Sequence, residues 1–365
     1  MKKIWIFLLA IIVISACWFG ISLLQTKNNN LEGNLVYDNN INNTTNKLPE
    51  TEPEIETKTQ AELILEDMSL EEKVGQMFIV RCPETNAVEK VSEYNICGYI
   101  LFGRDFKGKT KNSIKNTIQD YQNKSKIPLL IGVDEEGGTV NRVSQYSAFR
   151  STPFKSPQEL YKEGGMELII SDTKEKCDLL KSLGINVNFA PVCDVSTNSK
   201  DYMYKRSFGK NAEMTAEYVK ETVSTMKENK VASVLKHFPG YGNNVDTHTG
   251  ISYDKRDYNQ FETSDFIPFQ SGINAGADIV LVSHNIVECM DAEYPASLSK
   301  KVHEILREKL NFEGVIITDD LYMDAIKEFS NDEAAILAVQ ARQWLTMLHR
   351  FWNPNTSSNT SSKIR

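Results

Sequence analysis

Short apolar runs recur along the middle of this chain, each stopped by glycine or a polar residue: Met77–Val80, Gly98–Phe102, Leu129–Val133, Ile185–Ala190, Ala232–Leu235, Ile279–Val282 and Val315–Ile317. Longer amphipathic stretches separate them, among them Asn112–Asn123, Asp172–Leu183, Ala212–Glu228, Phe261–Asn274 and Lys300–Leu310. Runs that are apolar at consecutive positions belong to strands buried on both faces, and the intervening helices are what buries them. The alternation predicts an α/β fold around a parallel sheet. Two forms fit: a (β/α)8 TIM-type barrel lacking its last strand-helix unit, or an open doubly wound sheet. No Gly-x-Gly-x-x-Gly follows the first run, which disfavours a dinucleotide-binding version of the second.

Ionisable residues stand where the runs stop. Asp134 follows Leu-Leu-Ile-Gly-Val, Asp194 follows Phe-Ala-Pro-Val-Cys, and Lys236-His237 follow Ala-Ser-Val-Leu. His284 follows Ile-Val-Leu-Val-Ser, and Asp319-Asp320 follow Val-Ile-Ile-Thr. A single aspartate in such a place is ordinarily a helix N-cap, and a single histidine at a core edge is ordinarily structural. Recurrence at strand after strand favours a barrel, which gathers all its strand ends around one mouth. The segment 236–248 is the most informative. Pro239–Gly242 reads as a loop, and Asp246 and His248, two residues apart, point to one side if that loop is extended. A carboxylate beside an imidazole fixes its tautomer and supports its charged form, which suits a general acid/base.

The N-terminus reads as an address. Lys2 and Lys3 precede an apolar run from Ile4 to Leu24, long enough for a membrane crossing at roughly 20 residues. Residues 1–25 are expected to be a signal or membrane anchor, with lipidation at Cys17 in Ile-Ser-Ala-Cys as the alternative. Residues 26–60, rich in Asn, Thr and Glu, are expected to be a disordered tether outside the cytoplasmic membrane. The folded domain is expected over 61–345, and 346–365 as an unstructured tail. Lys plus Arg total 41 against 49 Asp plus Glu, a net charge of −8 that argues against a nucleic-acid partner. The six cysteines form no Cys-x-x-Cys pair, so neither a zinc knuckle nor a disulfide scaffold is indicated.

Several segments together resemble one family. Lys236-His237-Phe238-Pro239-Gly240-Tyr241-Gly242 followed by Asp246-Thr247-His248 is similar to the KHFPGHG…DSH signature of glycoside hydrolase family 3, in its β-N-acetylhexosaminidase branch. Asp134–Arg142 resembles the family's DQEGGRVxR. Asn188–Val195, Arg206–Gly209, Pro295–Ser299 and Gly314–Leu321 follow in the family order, so the likeness runs from about Leu65 to Ala341. It implies a retaining exo-β-N-acetylglucosaminidase acting by double displacement on cell-wall or chitin fragments, with no cofactor and no metal. Asp319 would be the nucleophile, His248 the acid/base and Asp246 its partner. Asp134, Arg142, Arg206, Lys236 and His237 would hold the sugar's hydroxyls and acetamido group. A carboxylate can form and leave a glycosyl ester, and an imidazole can give and take a proton near neutrality. Glycines at 240, 242 and 250 suggest that the His248 loop opens and closes.

Departures from the family pattern are few until the end. Tyr241 stands for its second histidine, Thr247 for serine and Thr139 for arginine. After Ala341 the pattern would continue into an apolar eighth strand, whereas this chain reads Arg342-Gln343-Trp344-Leu345-Thr346-Met347-Leu348 and then a Ser/Thr/Asn-rich tail, as if in a shifted frame. A barrel without that strand exposes two sheet edges. Two other readings stay open here: a non-catalytic cell-wall-binding copy, and a metal-dependent hydrolase built on His237, Asp246, His248, His284 and Asp319.

Overall fold

The computed structural model describes residues 58–341, except 245, 248, 249, 331 and 332, together with the backbone of 346–348. The apolar run at 4–24 and the linker after it lie outside the described residues. The described residues divide into two units after Met68. In the first, Thr59 and Glu62 form a capping box that opens the helix Gln60–Asp67. In the second, Ser69 and Glu72 do the same for Leu70–Gly75, each side chain satisfying an amide that a helix start leaves open.

The second unit is built on parallel strands. In chain order these are β1 (Phe78–Arg81), β2 (Gly98–Leu101), β3 (Leu130–Val133), β4 (Val187–Asn188) and β5 (Ala232–Phe238). They are followed by β6 (Tyr253–Asp254), β7 (Ile279–Val282), β8 (Ile286–Val287), β9 (Val315–Thr318) and β10 (Thr346–Leu348). Eight of them form one sheet in the order β10-β1-β2-β3-β4-β5-β7-β9, and β6 and β8 pair separately.

Side-chain alternation shows that this sheet is curled. Ile79, Ile100, Val187, Val234, Ile279, Leu281 and Ile317 meet in one inner cluster. Their neighbours Val80, Tyr99, Leu101, Ile131 and Val133 face outward into a cluster with Ile114, Ile118 and Leu180 of the covering helices. Leu235, Val280, Val282 and Ile316 face outward into another, with Val219, Phe269 and Leu306. Both strand faces are therefore dry, which is why the runs are apolar without interruption. In a flat sheet β1 and β9 would stand six strand spacings apart, about 29 Å at ~4.8 Å each. Instead Arg81 Nε, at the end of β1, lies 2.5 Å from Oδ2 of Asp320, just past β9.

The eighth position corrects one expectation. Residues 346–365 are expected to be unstructured, yet within them Thr346, Met347 and Leu348 pair in parallel with Phe78, Ile79 and Val80. The edge of β1 is thus covered by a three-residue strand. A family-type eighth unit, strand and following helix, is not among the described residues, and no ladder joins β9 to β10 there.

Candidate active site

All the large-sheet strands point the same way, so the residues just past their ends share one rim. Lys236 and His237 lie within β5, which continues through Phe238. Asp134 follows β3, Asp319 and Asp320 follow β9, and Arg206 comes from the segment between β4 and the helix Ala212–Glu228.

Buried ionic contacts join most of them. Lys236, only 2% exposed, donates from Nζ to Asp134 Oδ1 at 2.8 Å and lies 2.6 Å from Glu136 Oε1. Arg206 takes both oxygens of Glu136, Nη2 to Oε1 at 2.7 Å and Nε to Oε2 at 3.1 Å. Burial alone would raise the Glu136 carboxyl, but the Arg206 and Lys236 charges outweigh it and hold it far below the usual carboxylate range. The same carboxylate outweighs burial at Arg206 and raises that guanidinium further. Arg206 Nη2 also sits 3.4 Å from His237 Nε2, and His237 Nδ1 lies 2.7 Å from Asp194 Oδ2. A carboxylate can only accept and a guanidinium can only donate, so the ring carries its proton on Nδ1 and accepts at Nε2.

Other carboxylates hold the frame. Glu135 is fully buried and accepts the amides of Arg142 (2.8 Å), Val143 (2.7 Å) and Ser144 (3.1 Å), and the Ser144 hydroxyl as well. That arrangement fixes the turn carrying Arg142. The Arg142 guanidinium lies 5.6 Å from the Phe102 ring, and its buried Nε finds no hydrogen-bond partner among the described residues. Arg81 lies over the same ring at 4.4 Å.

The two aspartates after β9 differ. Asp320 is 2% exposed; its Oδ1 accepts from Tyr322 N at 2.9 Å, and its Oδ2 makes the contact with Arg81, close in distance but not aligned as a hydrogen bond. Asp319 is half-buried, with Oδ1 accepting from Asp320 N at 2.8 Å. It is near enough to Tyr241 for its charge to add to burial in raising that phenol. His284 is structural: Nε2 donates to the Asp320 carbonyl at 3.0 Å, which leaves Nδ1 to accept from Ser297 Oγ at 2.8 Å.

The loop after β5 rests on a buried triad. Arg256 bridges Asp254 (2.7 Å) and Asp265 (2.9 Å) and donates to the Gly240 carbonyl at 2.9 Å. Gly240 (φ 122°) and Gly242 (φ 57°) press on it; added Cβ atoms would fall 2.2 Å from Asp265 Oδ1 and 2.5 Å from Arg256 Cζ. These glycines meet a close approach and a left-handed backbone that other residues would strain. Burial and the nearby Asp246 charge raise the Tyr202 phenol, and Arg206 opposes them, so the loop's Asp246 lies near the same tyrosine as a member of the Glu136 cluster. His248 lies outside the described residues.

Asp134, Lys236, Arg206 and His237 thus share one network, and Asp246 and Asp319 lie close enough to Tyr202 and Tyr241, respectively, for their charges to be felt there. Glu136 is absent from the site expected from the sequence, and Asp194 figures there only as a strand-end carboxylate with no assigned function. Glu136 lies two residues after Asp134 within the Asp134–Arg142 segment, and only the fold reveals that its partners are 70 and 100 positions away. Among the described residues no group of three His, Cys, Asp or Glu side chains is disposed to hold a metal ion.

Fold and rim together define a parallel α/β barrel hydrolase-type site, an acidic and basic cluster at the carboxyl ends of the strands. The sequence pattern of the glycosyl hydrolase family 3 N terminal domain matches residues 69–350, and the chain belongs to that family. It is 32% identical over 261 residues to beta-hexosaminidase A of Pseudoalteromonas piscicida, covering 67% of this chain but 44% of that enzyme. It is 31% identical over 246 residues to a beta-hexosaminidase of Xylella fastidiosa strain M23, covering 66% and 72%. Among solved structures, a family 3 beta-N-acetylglucosaminidase from Paenibacillus sp. str. FPU-7 superposes with a TM-score of 0.72 at 30% identity, over 78% of this chain and 55% of that one. Beta-N-acetylhexosaminidase from Beutenbergia cavernae gives 0.68 at 26%, over 78% and 88%. The chain therefore spans less than two thirds of some relatives and most of others.

Proposed function

We propose that this protein is a retaining exo-β-N-acetylglucosaminidase that releases terminal β-linked N-acetylhexosamine from cell-wall or chitin fragments. The observation that carries the proposal is the contrast at the end of β9. Asp320 is locked into the barrel by Arg81, whereas the adjacent Asp319 is half-buried at the rim. Asp319 attacks the anomeric carbon and forms a glycosyl ester, which water then cleaves. His248 protonates the departing oxygen and afterwards deprotonates water, with Asp246 supporting the imidazolium. Asp134, Arg206, Lys236 and His237 bind the sugar, and Arg142 adds a donor from the neighbouring turn.

Charge supports this chemistry. The named carboxylates of the site (Asp134, Glu136, Asp194, Asp246, Asp319 and Asp320) outnumber its named cations (Arg81, Arg142, Arg206 and Lys236). A surplus of fixed negative charge favours the oxocarbenium-like transition state over the neutral sugar. Hydrolysis of 4-nitrophenyl N-acetyl-β-glucosaminide by the purified protein tests the assignment. Release that vanishes in Asp319→Asn is expected; release that persists in that variant sinks it.

We further propose that residues 4–24 tether the enzyme to the cytoplasmic membrane with the barrel outside. The two lysines before the apolar run support that orientation. Among the described residues no helix is long and apolar enough to cross a membrane, so the anchor rests on that run. Fractionation of cells expressing the full chain should place it in the membrane pellet, and deletion of residues 1–25 should move it out.

A further inference from the structure

Tyr241 stands at the base of the loop that follows β5. The side chain is 3% exposed, set between the rings of His237 (5.7 Å) and Tyr202 (5.8 Å). Its hydroxyl reaches along its own loop to Thr247, which is 1% exposed. The Thr247 amide donates to Tyr241 Oη at 2.9 Å, and Oη lies 3.0 Å from Thr247 Oγ1. With the phenol oxygen accepting from the amide, its own proton is available to Thr247 Oγ1. At the other end of the residue, Tyr241 N donates to Asp194 Oδ1 at 2.7 Å, while Asp194 Oδ2 holds the His237 ring.

One residue therefore ties three things together: the carboxylate that orients a sugar-binding imidazole, the rigid base of the loop, and the backbone between Asp246 and His248. The neighbouring Asn244 reinforces the base, donating to the Tyr241 carbonyl at 2.9 Å and to Asp254 Oδ2 at 2.7 Å.

We propose that Tyr241 is a positioning residue for proton transfer: its phenol clamps Thr247 and thereby sets where the loop delivers its Asp246/His248 pair. This rests on His248 being the acid/base. The chemistry follows from geometry, since a general acid must stand within hydrogen-bond reach of the departing oxygen. An aglycone that leaves as a stable phenolate needs little protonation, so loosening the clamp should spare it. An aglycone that leaves as an alkoxide or a sugar should feel the full loss.

The test compares Tyr241→Phe with the wild-type full chain, and with His248→Ala as reference. Tyr241→Phe keeps the ring and removes only the hydroxyl. Amide hydrogen exchange across 243–250 should accelerate roughly tenfold, with the exchange of β5 and β7 unchanged as the control for folding. Turnover of an alkyl or disaccharide N-acetylglucosaminide should fall by about tenfold or more, part of the ~10²–10⁴ that general acid/base catalysis supplies. Turnover of a dinitrophenyl glycoside should fall less than about threefold, and Thr247→Ser should behave as wild type. Unchanged exchange at 243–250 overturns the clamp. Faster exchange with equal losses for both leaving groups, or with no loss, overturns the positioning role. If His248→Ala itself shows no leaving-group dependence, the acid/base reading fails, and the exchange measurement still decides whether Tyr241 holds the loop.

Discussion

Replacing Glu136 by Gln should destabilise the barrel more than any other single-atom change at the site. The Glu136 carboxylate neutralises two buried cations, meeting Lys236 at 2.6 Å and both faces of the Arg206 fork at 2.7 and 3.1 Å. An amide offers one acceptor where two oxygens were used, and its NH2 would face a donor. Asp134 remains for Lys236, but Arg206 loses its carboxylate partner. Breaking a buried pair by removing one partner costs about 3–5 kcal/mol. At ~2–4 °C per kcal/mol for a domain of this size, the melting temperature should drop by roughly 6–20 °C at pH 7. The pH dependence supplies a second check. Glu136 is held far below its ordinary value of 4.5, so its contribution is fully present above that pH and is lost as the pH falls toward the depressed folded-state value. The gap between wild type and Glu136→Gln, followed by circular dichroism melts from pH 7 to pH 3, should therefore narrow below pH 4.5. A drop under ~1 kcal/mol at pH 7, or a gap that stays constant to pH 3, would refute the reasoning.

Three further outcomes are expected. Asp320→Asn should lower the melting temperature and leave the chemistry of Asp319 in place, whereas Asp319→Asn should abolish turnover with little change in melting; the reverse pattern would exchange the two roles. Burial pushes the His303 imidazole from 6.5 down to about 4, against the carbonyl of Ala341 that it donates to at 2.6 Å. The unfolded chain takes up that proton first, so stability falls as pH drops from 6.5 to 4, by up to ~1.4 kcal/mol per unit. Asp265, which burial pushes up to about 6, acts in the opposite sense, so the difference between wild type and His303→Gln is the quantity to measure by urea unfolding. Deleting residues 342–365 should bare the edge of β1, which Thr346–Leu348 now pairs, and should be seen as faster amide exchange at Ile79 and Val80 and greater aggregation.

Much of this architecture is legible in the sequence because the barrel buries both faces of each strand. The apolar run Ile279–Val282 coincides with β7, and the other runs differ from their strands by a few residues at the ends. The largest extension is β5, which continues through Lys236-His237-Phe238. Charged residues inside a strand break an apolar run, and only at the mouth of a barrel are they at home on the inner side. The helix expected from Asp172 begins at Pro157, with non-helical backbone at Gly164 and Gly165 that a sequence reader takes for a stop. β10 escaped because three residues, Thr346-Met347-Leu348, carry no strand signature; their pairing is decided by the open edge of β1.

At the site, residue types at strand ends announced the rim, while the partnerships did not. Glu136 and Arg206 are 70 positions apart, and nothing local requires their pairing. Asp194 was visible as a strand-end carboxylate, but its hold on both His237 and Tyr241 exists only once β4 and β5 are adjacent. Tyr241 looked like a mere departure from a family pattern until its hydroxyl was found on Thr247.

The assignment of Asp319 as nucleophile is tested most directly by trapping the intermediate. The full chain is incubated with a fluorinated N-acetylglucosaminyl donor, chosen so that the glycosyl-enzyme forms faster than it hydrolyses, and is then mapped by peptide mass spectrometry. One glycosyl unit should appear on the peptide containing Asp319, fragment to that residue rather than to Asp320, and be absent from Asp319→Asn. An adduct on another carboxylate, or turnover of the donor with no adduct on wild type, would contradict it.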